Sequence, residues 1–479
     1  MESIWRKETP DIKSKTRKSH QNTHRDVIVI GAGLAGILTA YYLQKEGKNV
    51  LVLEAAEIAS GQTERTTAKI TSQHDIKYSN LIKTIGVKKA KMYADANEMA
   101  IKEYERLIKE KNIECNFEKV SAYLYTLENE ELIIKEADAA NALGINAFLT
   151  RDTKLPFPVK NAVCFRNQAQ FSPLKFVKQI ALELEILEHT KVIDIKGHRV
   201  ITEKEVFTAD KIVMATHYPI INAPGFYFLK QHQERSYALA LLGCTPIKAM
   251  YYGIDSNGLS FRQSGDILIL GGAGRRTGHN KKGRAFNMLR EAAKKYYPES
   301  TETAHWAAQD CMPHDGIPFI GKFSVFTPNL YVITGFQKWG MTSAMAAAMI
   351  LRDELSGRKN TYSKVFCPQR FNIIAGIKKL LIDIGESVKG LSKGWLHFPP
   401  ASKDTLSNGN GGVVVIDGKR YACYCDENGK LHKISARCPH LGCELTWNPD
   451  EKSWDCPCHG SRFDVDGKLL DNPSKKNLI

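Results

Sequence analysis

Two short segments near the C-terminal end of the chain carry cysteine and histidine at close spacing. Cys438 and His440 form a C-x-H pair, and fifteen residues later Cys456 and His459 form a C-x-x-H pair. Two thiolates can bind one iron of a [2Fe–2S] cluster while two imidazoles bind the other. The alternative is a Cys₂His₂ zinc site, for which C-x-H is not a usual spacing. We therefore predict that these four residues are metal ligands for one-electron chemistry.

A second candidate site lies near the N-terminal end. Gly31, Gly33 and Gly36 spell G-x-G-x-x-G between an apolar run at 26–30 and a helical pattern at 37–46. Such glycines allow a tight turn, backbone approach to a pyrophosphate, and close packing of helix on strand. Glu54 ends the next apolar run, where its carboxylate can bind ribose hydroxyls and would repel a 2′-phosphate. The pattern predicts a dinucleotide site that is not for NADP, and leaves FAD and NAD open.

The elements that must position these residues follow from the hydrophobic periodicity. Apolar runs alternate with helical patterns in a way typical of a parallel βαβ unit. Helices are predicted at 75–112 (two), near 173–187 and at 344–355, with a strand and turn at 267–278. After residue 412 the sequence changes to short β runs and cysteine-bearing loops. The predicted fold class is α/β (α+β), with a small all-β domain at the end.

Composition is that of an ordinary globular protein, with 43% hydrophobic and 25% charged residues. The net charge of +15 favours acidic partners, but neither a nucleic-acid partner nor a transmembrane segment is expected. Residues 1–25 are basic and lack a signal-peptide apolar run, so they are interpreted as a disordered arm. Six of eleven cysteines cluster near the end, unlike a secreted disulfide scaffold, which favours a cytoplasmic protein.

The order of motifs resembles the D-amino-acid-oxidase/glycine-oxidase superfamily of FAD-dependent amine oxidoreductases. The resemblance covers residues 25–368 and rests on the glycine fingerprint, on GQTERTTA at 61–68, and on DGIPFIG at 315–321 followed by TGFQKWGMT at 334–342. It implies FAD as cofactor and oxidation of a C–N bond in an amino acid or amine by hydride transfer to flavin N5. The segment 267–278 is glycine-rich but lacks a second fingerprint, so no NAD site is assigned.

The same resemblance implies which residues surround the flavin. They lie in two loops, one on each side of the ring: Arg65, Thr66, Thr67 and Ala68 in the first, and Gly335, Gly340, Met341 and Thr342 in the second. A helix beginning after Gly340 would direct its positive end at the flavin edge where charge develops on reduction.

Catalytic candidates are fewer and rest on weaker signals. An arginine fork suits a substrate carboxylate, with Arg262 as the first candidate, Arg275 and Arg276 as others, and Tyr251 on the neighbouring strand. Lys338 lies in the second flavin loop, and related sarcosine-type oxidases use a lysine near the flavin for oxygen activation. Tyr252, His217 and His279 are further candidates, and Cys311 is either a buried thiol or a point of covalent flavin attachment.

The C-terminal segment resembles Rieske [2Fe–2S] domains, because Gly460-Ser461-Arg462-Phe463 matches their continuation after the second ligand pair. The resemblance implies a disulfide between Cys443 and Cys458 that clamps the two ligand loops. Ser461 matches the serine that bonds a bridging sulfide. Phe463 stands where high-potential members have a tyrosine, which implies a moderate potential. A Rieske oxygenase is disfavoured, because the sequence lacks the closely spaced histidine pair of a mononuclear iron site.

The predicted domain organisation has four parts. They are the basic arm at 1–25, an FAD-dependent oxidoreductase at 26–368, a linker with an amphipathic helix at 369–411, and the Rieske domain at 412–479. Within the second part, the FAD-binding pieces are placed at 26–80, 160–217 and 310–357, and the pieces of a mixed-sheet substrate domain at 81–159 and 218–309.

Together these features predict an amine or amino-acid oxidoreductase that passes electrons from FAD to the Rieske cluster and on to an external one-electron acceptor. Two alternatives remain open. In one, electrons flow in reverse, from an external donor through the cluster to FAD. In the other, the protein is a non-catalytic redox carrier or sensor.

Overall fold

A computed structural model describes residues 1–9, 24–370, 385 and 406–478 of the 479-residue chain. Most of the predicted linker at 369–411 lies outside these residues, including the whole of its predicted amphipathic helix at 371–384. The helices of the described part are α1 (Ile4–Glu8), α2 (Leu34–Lys45), α3 (Tyr78–Lys111), α4 (Glu130–Ala142), α5 (Pro173–Ala181), α6 (Ala285–Tyr296), α7 (Gly340–Leu355) and α8 (Ser363–Phe366). None of them is long and apolar enough to cross a membrane.

The strands before the linker build two sheets. They are β1 (Arg25–Ile30), β2 (Val50–Leu53), β3 (Lys69–Ile70), β4 (Glu118–Thr126), β5 (Ala147–Thr150), β6 (Asn161–Gln170), β7 (Ile186–Leu187), β8 (Val192–Lys196), β9 (Arg199–Thr202), β10 (Val206–Met214), β11 (Gln231–Leu242), β12 (Met250–Gly253), β13 (Ser260–Ser264), β14 (Ile267–Arg276), β15 (Thr301–Pro313), β16 (Phe319–Lys322) and β17 (Leu330–Thr334).

The first sheet has the order β16-β17-β10-β1-β2-β7, with the hairpin of β8 and β9 attached to β10. From β17 to β7 the strands are parallel, and the interior positions of β1, β2 and β17 are buried. Strands that are covered on both faces have continuous apolar runs, so strands such as β1 and β2 could be predicted from the sequence. Helices α2 and α7 pack against each other beside this sheet.

The second sheet has the order β15-β11-β14-β13-β12-β4-β6-β3, with β5 paired to β6. It is mainly antiparallel, but β12 and β4 run parallel, so the predicted mixed sheet is present. Strands β3 and β6 belong to it, although the sequence placed 26–80 and 160–217 with the FAD-binding pieces. Conversely, most of helix α3 was predicted to belong to the substrate domain, but it packs on α7, which lies beside the first sheet.

Local deviations from the predicted helices have simple causes. Helix α3 is interrupted at Gly86, whose φ of 77° is not helical, so the two predicted helices are joined by a kink. Helix α5 ends at residue 181, well before 187, because Ile186 and Leu187 form β7 at the edge of the first sheet.

The N-terminal arm corrects the sequence-based interpretation. Residues 4–8 form helix α1, and Ile4 and Trp5 are buried at 3% and 0% exposure. Ser3 caps the helix by accepting a hydrogen bond from the amide of Arg6. The prediction weighed the basic residues and overlooked the apolar pair Ile4 and Trp5, whose burial holds this short helix against the protein. Residues 10–23 lie outside the described part.

The C-terminal module contains two small antiparallel sheets. The first is β18 (Gly411–Ile416), β19 (Lys419–Cys425) and β20 (Leu431–Ser435), and the second is β21 (Thr446–Asn448), β22 (Ser453–Asp455), β23 (Arg462–Phe463) and β24 (Leu469–Asp471). Its core includes Trp454 and Phe463, and Cys423 and Cys425 pack inside as expected. The predicted small all-β domain is confirmed.

Candidate functional site

We call the described residues 1–9 and 24–370 the N-terminal unit and residues 406–478 the C-terminal module. One cavity of about 670 Å³ lies where they meet. Its walls come from the ends of β1 and β2, the segment 59–67, strands β11, β12 and β14, and the start of α7. Four residues of the C-terminal module complete it: Leu470, Asp471, Asn472 and Lys475. The volume is within the range of cofactor pockets. Both units therefore shape the same cavity.

The glycine fingerprint forms one end of the cavity. Gly31 has a φ of 105°, and a Cβ there would lie 2.6 Å from the carbonyl oxygen of Ala215. A Cβ on Gly36 would lie 1.9 Å from the carbonyl oxygen of Gly31, so only glycine allows α2 to approach β1. Gly33 precedes α2, whose first amide donates to Oγ1 of Thr63 at 2.9 Å. This cradle fits a dinucleotide pyrophosphate.

Glu54 lines the same end. Its two carboxylate oxygens accept from the amides of Ala32 at 2.7 Å and Ala56 at 2.9 Å. Burial raises the pKa of Glu54, and these amide hydrogen bonds oppose that shift. Each oxygen retains a further lone pair for a hydroxyl group. The carboxylate is therefore fixed at the fingerprint end of the cavity, with acceptor capacity left for a hydroxyl group.

The first flavin loop is held by side chains distant in sequence. The indole Nε1 of Trp306 donates to the carbonyl of Arg65 at 2.8 Å, and that of Trp5 donates to the carbonyl of Thr66 at 2.7 Å. Ala68, with a φ of 55°, donates its amide to Oγ1 of Thr66. Sequence reasoning missed both tryptophans. The pair Ile4-Trp5 in a basic arm was the available signal for one of them.

Arg262 binds the carbonyl of Thr67 in the first flavin loop and does not face the cavity. Its guanidinium donates to the carbonyls of Thr67 and Phe171, both at 2.8 Å, and to Oε1 of Gln170 at 3.1 Å. It is 2% exposed and does not line the cavity. The expectation of a substrate-anchoring Arg262 is therefore corrected to a loop-positioning role.

Tyr251 also lies outside the cavity wall. Its hydroxyl accepts from the amide of Lys154 at 3.0 Å, and its ring stacks on Tyr123. The adjacent Tyr252 lines the cavity instead, with its ring 5.3 Å from that of Trp339. Because successive strand residues face opposite sides, a one-residue difference moved the side chain from one face to the other.

The second flavin loop enters α7 as predicted. Gly335, Gly340 and Met341 line the cavity, and α7 begins at Gly340. Thr342 lies one position further, where its hydroxyl donates to the carbonyl of Thr71 at 3.1 Å. Thr342 is buried at 1% exposure and supports the loop from behind.

Lys338 lines the cavity within a group of acidic side chains. Its Nζ lies 3.8 Å from Glu234, and the Tyr252 hydroxyl, Glu234, Asp310 and Asp75 together raise its pKa. Burial raises the pKa of Asp310 to about 6, against the opposing influence of Lys338. Lys338 is therefore a fixed cation at neutral pH.

Lys69 is the contrasting lysine of the cavity. Its Nζ donates to the carbonyl of Tyr251 at 2.9 Å and to the hydroxyl of Ser260. In the described part of the chain it has no carboxylate within salt-bridge distance. Burial and the nearby Arg262 guanidinium lower its pKa to about 7. The sequence offered no signal for this environment, because it depends on β12 and β13.

His217 and Cys311 lie close together beside the C-terminal module. His217 lines the cavity, and burial lowers its pKa to about 4. The thiol of Cys311 lies 3.5 Å from the carbonyl of His217, and burial raises its pKa. A buried thiol with a raised pKa is a poor nucleophile. The other candidates, Arg275, Arg276 and His279, do not line the cavity. Arg276 lies instead at the interface with the C-terminal module.

The four predicted metal ligands occupy two adjoining loops of the C-terminal module. The Cys456 thiol donates to the Cys438 sulfur, which lowers the pKa of Cys438. The rings of His440 and His459 have centroids 5.0 Å apart. Nδ1 of His440 is buried and has no hydrogen-bond partner among the described residues. A pair of thiols and a neutral imidazole with a buried, available nitrogen fit an iron–sulfur cluster.

The geometry does not fit a zinc ion. The ligand atoms of one tetrahedral zinc would all lie within about 4 Å of one another. Among the described residues, the compact group contains the Cys456 sulfur with those of Cys443 and Cys458, and neither histidine. Cys443 and Cys458 are joined in a disulfide, so they are not available as ligands.

The disulfide and two further residues match the pattern of the resemblance. The bond links the two ligand loops across 15 residues of sequence. Ser461 contacts the Cys438 thiol, and its hydroxyl accepts from the amide of Ser474 at 2.9 Å. Phe463 is fully buried and has no hydroxyl to offer a ligand.

The N-terminal unit contacts the predicted metal ligands directly. Nε2 of His440 lies 2.9 Å from Oδ1 of Asn222, and the Phe228 ring packs edge-on against both His440 and His459. Arg276 donates to the carbonyls of Pro457 and Cys458 at 3.1 and 3.0 Å. The ligand loops are therefore docked on the oxidoreductase unit.

A buried ion network joins the two units beside the cavity. Arg235 of β11 donates to the carboxylate of Glu451, and both side chains are almost fully buried. Arg462 contacts Glu451, Asp455 and Asp471, each within 2.9 Å. Asp471 also lines the cavity. Buried charges of this kind require their partners, so the network holds the two units in one arrangement.

Two family models match the chain. A model described as FAD dependent oxidoreductase matches residues 26–354, and a model of the Rieske [2Fe-2S] domain matches residues 397–479. A Bacillus subtilis (strain 168) protein, named as a Rieske 2Fe-2S iron-sulfur protein YhfW, is 37% identical over 476 residues. That alignment covers 96% of this chain and 93% of the relative.

Solved structures share the fold of the N-terminal unit. Glycine oxidase from Geobacillus kaustophilus superposes with a TM-score of 0.63 at 17% identity, covering 73% of this chain and 100% of its own. L-amino acid deaminase from Proteus vulgaris superposes with a TM-score of 0.61 at 18% identity, covering 74% of this chain and 96% of its own.

The cytochrome b6-f iron-sulfur subunit of Synechococcus sp. (strain WH7803) is 31% identical over 116 residues, covering 24% of this chain and 60% of the subunit.

Proposed function

The chain belongs to the FAD dependent oxidoreductase family and carries a Rieske [2Fe–2S] domain, and from this premise we propose that it oxidises an amine or amino acid and exports the electrons through the cluster. The observation that carries the proposal is the shared cavity. Residues Leu470 to Asn472 and Lys475 of the Rieske domain line the same cavity as the glycine fingerprint. A redox partner built into the wall of a flavin cavity is suited to receive its electrons.

Bound FAD would supply hydride acceptance at the cavity, and the cluster would supply one-electron transfer. The chain offers residues for both groups. Gly31, Gly33, Gly36 and Glu54 would hold the dinucleotide, and residues 65–68 and 335–341 would flank the ring. Cys438, His440, Cys456 and His459 would hold the cluster.

An amine substrate is supported by the charges that face the cavity. Asp75 and Asp310 line it near Tyr252 and can attract an ammonium group. Lys69 is suited to take the proton from that ammonium, because its pKa of about 7 leaves it partly neutral at physiological pH. Lys338 remains charged, and we propose it as the fixed cation beside the second flavin loop. Arg262 acts indirectly, through the loop it holds and through its effect on the pKa of Lys69.

The proton-accepting role of Lys69 has its own test. Lys69→Met should lower the limiting rate of flavin reduction by an amine about 100-fold or more, a typical contribution of a general base. The wild-type rate should rise through pH 7 as Lys69 loses its proton, and the variant should lose that dependence. Lys338→Met serves as the matched control, because Lys338 stays protonated and should not alter the apparent pKa near 7.

The acceptor is proposed to be an acidic one-electron carrier protein. The net charge of +15 supports an acidic partner. We also retain a cytoplasmic location as part of the proposal, supported by the free cysteines outside the ligand loops.

Anaerobic mixing of the holoprotein with a panel of amines and amino acids tests the main proposal and its direction. Loss of the oxidised flavin absorbance, followed by the reduced-cluster EPR signal, is the expected result. The variant Cys456→Ser should show the flavin change without the EPR signal. The proposal fails if no amine bleaches the flavin while a reduced ferredoxin reduces the cluster, which would support the reverse flow.

A further inference from the structure

Two glutamines are buried where the flavin cavity meets the Rieske domain. Gln233 lies on β11 and Gln309 on the paired strand β15, and they are 2% and 0% exposed. Gln309 lines the cavity. Fully buried amides need hydrogen-bond partners, so the contacts that these side chains make show what the site is built to hold.

Their partners lie on the ligand loop of the Rieske domain. Nε2 of Gln309 donates to the carbonyl of Gly460 at 2.8 Å and to Oε1 of Gln233 at 2.8 Å. Nε2 of Gln233 donates to the carbonyl of His459 at 2.7 Å and to that of Asn472 at 2.9 Å. His459 is a predicted cluster ligand. Hydrogen bonds therefore run without interruption from the cavity wall to a ligand residue.

The ligand loop is shaped to accept this contact. Gly460 has a φ of 86°, and a Cβ there would lie 2.7 Å from the Cβ of Gln233. Only glycine allows the loop to pack so closely on β11. On the other side, the amide of Gln309 donates to Oε1 of Gln62 at 2.7 Å, and Gln62 also lines the cavity. The bridge is therefore held at both ends.

We propose that Gln309 and Gln233 are the positioning residues of the electron-transfer bridge between the flavin cavity and the cluster. The inference rests on the proposed flavin-to-cluster transfer and deepens it. With both groups bound, one electron from the reduced flavin would reduce one iron of the oxidised cluster, and the proton released when the flavin is oxidised would go to solvent. The glutamines are not themselves oxidised or reduced.

The physical reason is that the rate of electron transfer depends on the electronic coupling across the interface between the two units. Electron tunnelling falls steeply with each gap that is crossed through space, and a hydrogen-bonded contact is shorter than a van der Waals contact. The ion pair of Arg235 with Glu451 holds the interface beside the bridge. Transfer is then a property of a fixed interface, and no movement of the Rieske domain between two positions is required.

The test uses the holoprotein and needs no substrate. A laser flash in the flavin absorption band, with EDTA as electron donor, reduces the flavin, and the arrival of the electron at the cluster is followed by absorbance. Gln309→Met, which keeps side-chain volume and loses both donors, should slow this arrival about tenfold, equivalent to about 1.4 kcal/mol in the barrier. Gln233→Met should slow it in the same direction.

Thr446→Val is the matched control. The Thr446 hydroxyl donates to the carbonyl of Gly278 at 2.8 Å, so the variant also removes one hydrogen bond between the units, and it leaves the side chains of Gln233 and Gln309 unchanged. Its transfer rate should match that of the wild type. Midpoint potentials of flavin and cluster should be unchanged in all three variants, as measured by spectroelectrochemical titration.

Two results would overturn the inference. One is a Gln309→Met rate equal to that of Thr446→Val, whether or not both are slower than the wild type. The other is a shift in cluster potential large enough to explain the slower rate. Failure of the proposed function looks different. In that case the wild-type cluster receives no electron from the flavin after the flash, or no amine reduces the flavin while the flash result holds.

Discussion

The two redox sites of this protein are assembled over different distances along the chain. The cluster ligands all lie between residues 438 and 459, in two loops linked by one disulfide. The flavin cavity instead takes its walls from residues as far apart as Ile30 and Lys475, and its first loop is held by Trp5, Trp306 and Arg262. A local site can be recognised from spacing, whereas a distributed site depends on the whole fold.

The sharpest test of this contrast removes one local ligand. Cys456→Ser should abolish the cluster, because a [2Fe–2S] centre needs its cysteine thiolates. FAD should remain bound, since no wall of the fingerprint end changes. Visible absorbance and iron content measure the first outcome, and FAD content after gel filtration measures the second. Loss of both cofactors would contradict the separation of the two sites.

The next effect concerns the contact between the two regions. Arg235→Met leaves the buried Glu451 without one of its two arginines, which should cost about 3–5 kcal/mol of stability. The Rieske domain should then become sensitive to protease while the FAD domain resists. Arg420→Met is the matched control, because the Arg420–Glu444 pair lies within the Rieske domain and is partly exposed. Its cost should be about 1 kcal/mol or less.

The stability of the folded protein should depend on pH through His217, which lines the flavin cavity. The pKa of His217 is about 4 in the folded protein and about 6.5 when unfolded, so the unfolded state binds more protons between these values. Stability is therefore full above pH 6.5 and is lost as pH falls toward 4, by roughly 2–3 kcal/mol for this group. Urea titrations at pH 7 and pH 5 should show this loss, and His217→Gln should reduce it. An equal loss in the variant would remove His217 as the cause.

The smallest expected effect tests the remote support of the flavin loop. Trp5→Phe keeps the packing and removes the hydrogen bond to Thr66, which is worth about 1 kcal/mol, or roughly a fivefold weaker FAD affinity. Flavin fluorescence on titration of the apoprotein measures it. Trp454→Phe, a buried tryptophan of the Rieske core, is the control and should leave FAD affinity unchanged. Equal weakening in both would indicate a general loss of stability.

Some features of the distributed site were nevertheless accessible from the sequence. The glycine fingerprint and Glu54 were predicted because strand, turn and helix are adjacent in the chain. The second flavin loop was predicted from the family resemblance of residues 334–342. Lys338 was predicted to lie in that loop, but its acidic surroundings come from β11 and β15 and were not predicted.

Other expectations were wrong for identifiable physical reasons. Arg262 and Tyr251 were selected by residue type, which does not indicate the face of a strand on which a side chain lies. The arm at 1–25 was judged by its charge, which hid the buried Trp5. The two glutamines of the interface carry no motif, so their role is visible only where β11 meets the ligand loop.

By itself, the sequence determined the fold class and the two cofactors, and it predicted the four cluster ligands and the phosphate-binding turn. These depend on residues close together in the chain, whose spacing directly limits the geometry. Only the tertiary structure decided which lysine has a lowered pKa, which arginine supports a loop, and how the Rieske domain closes the flavin cavity. Burial and charge partners set those properties, and they are brought together by contacts between residues hundreds of positions apart.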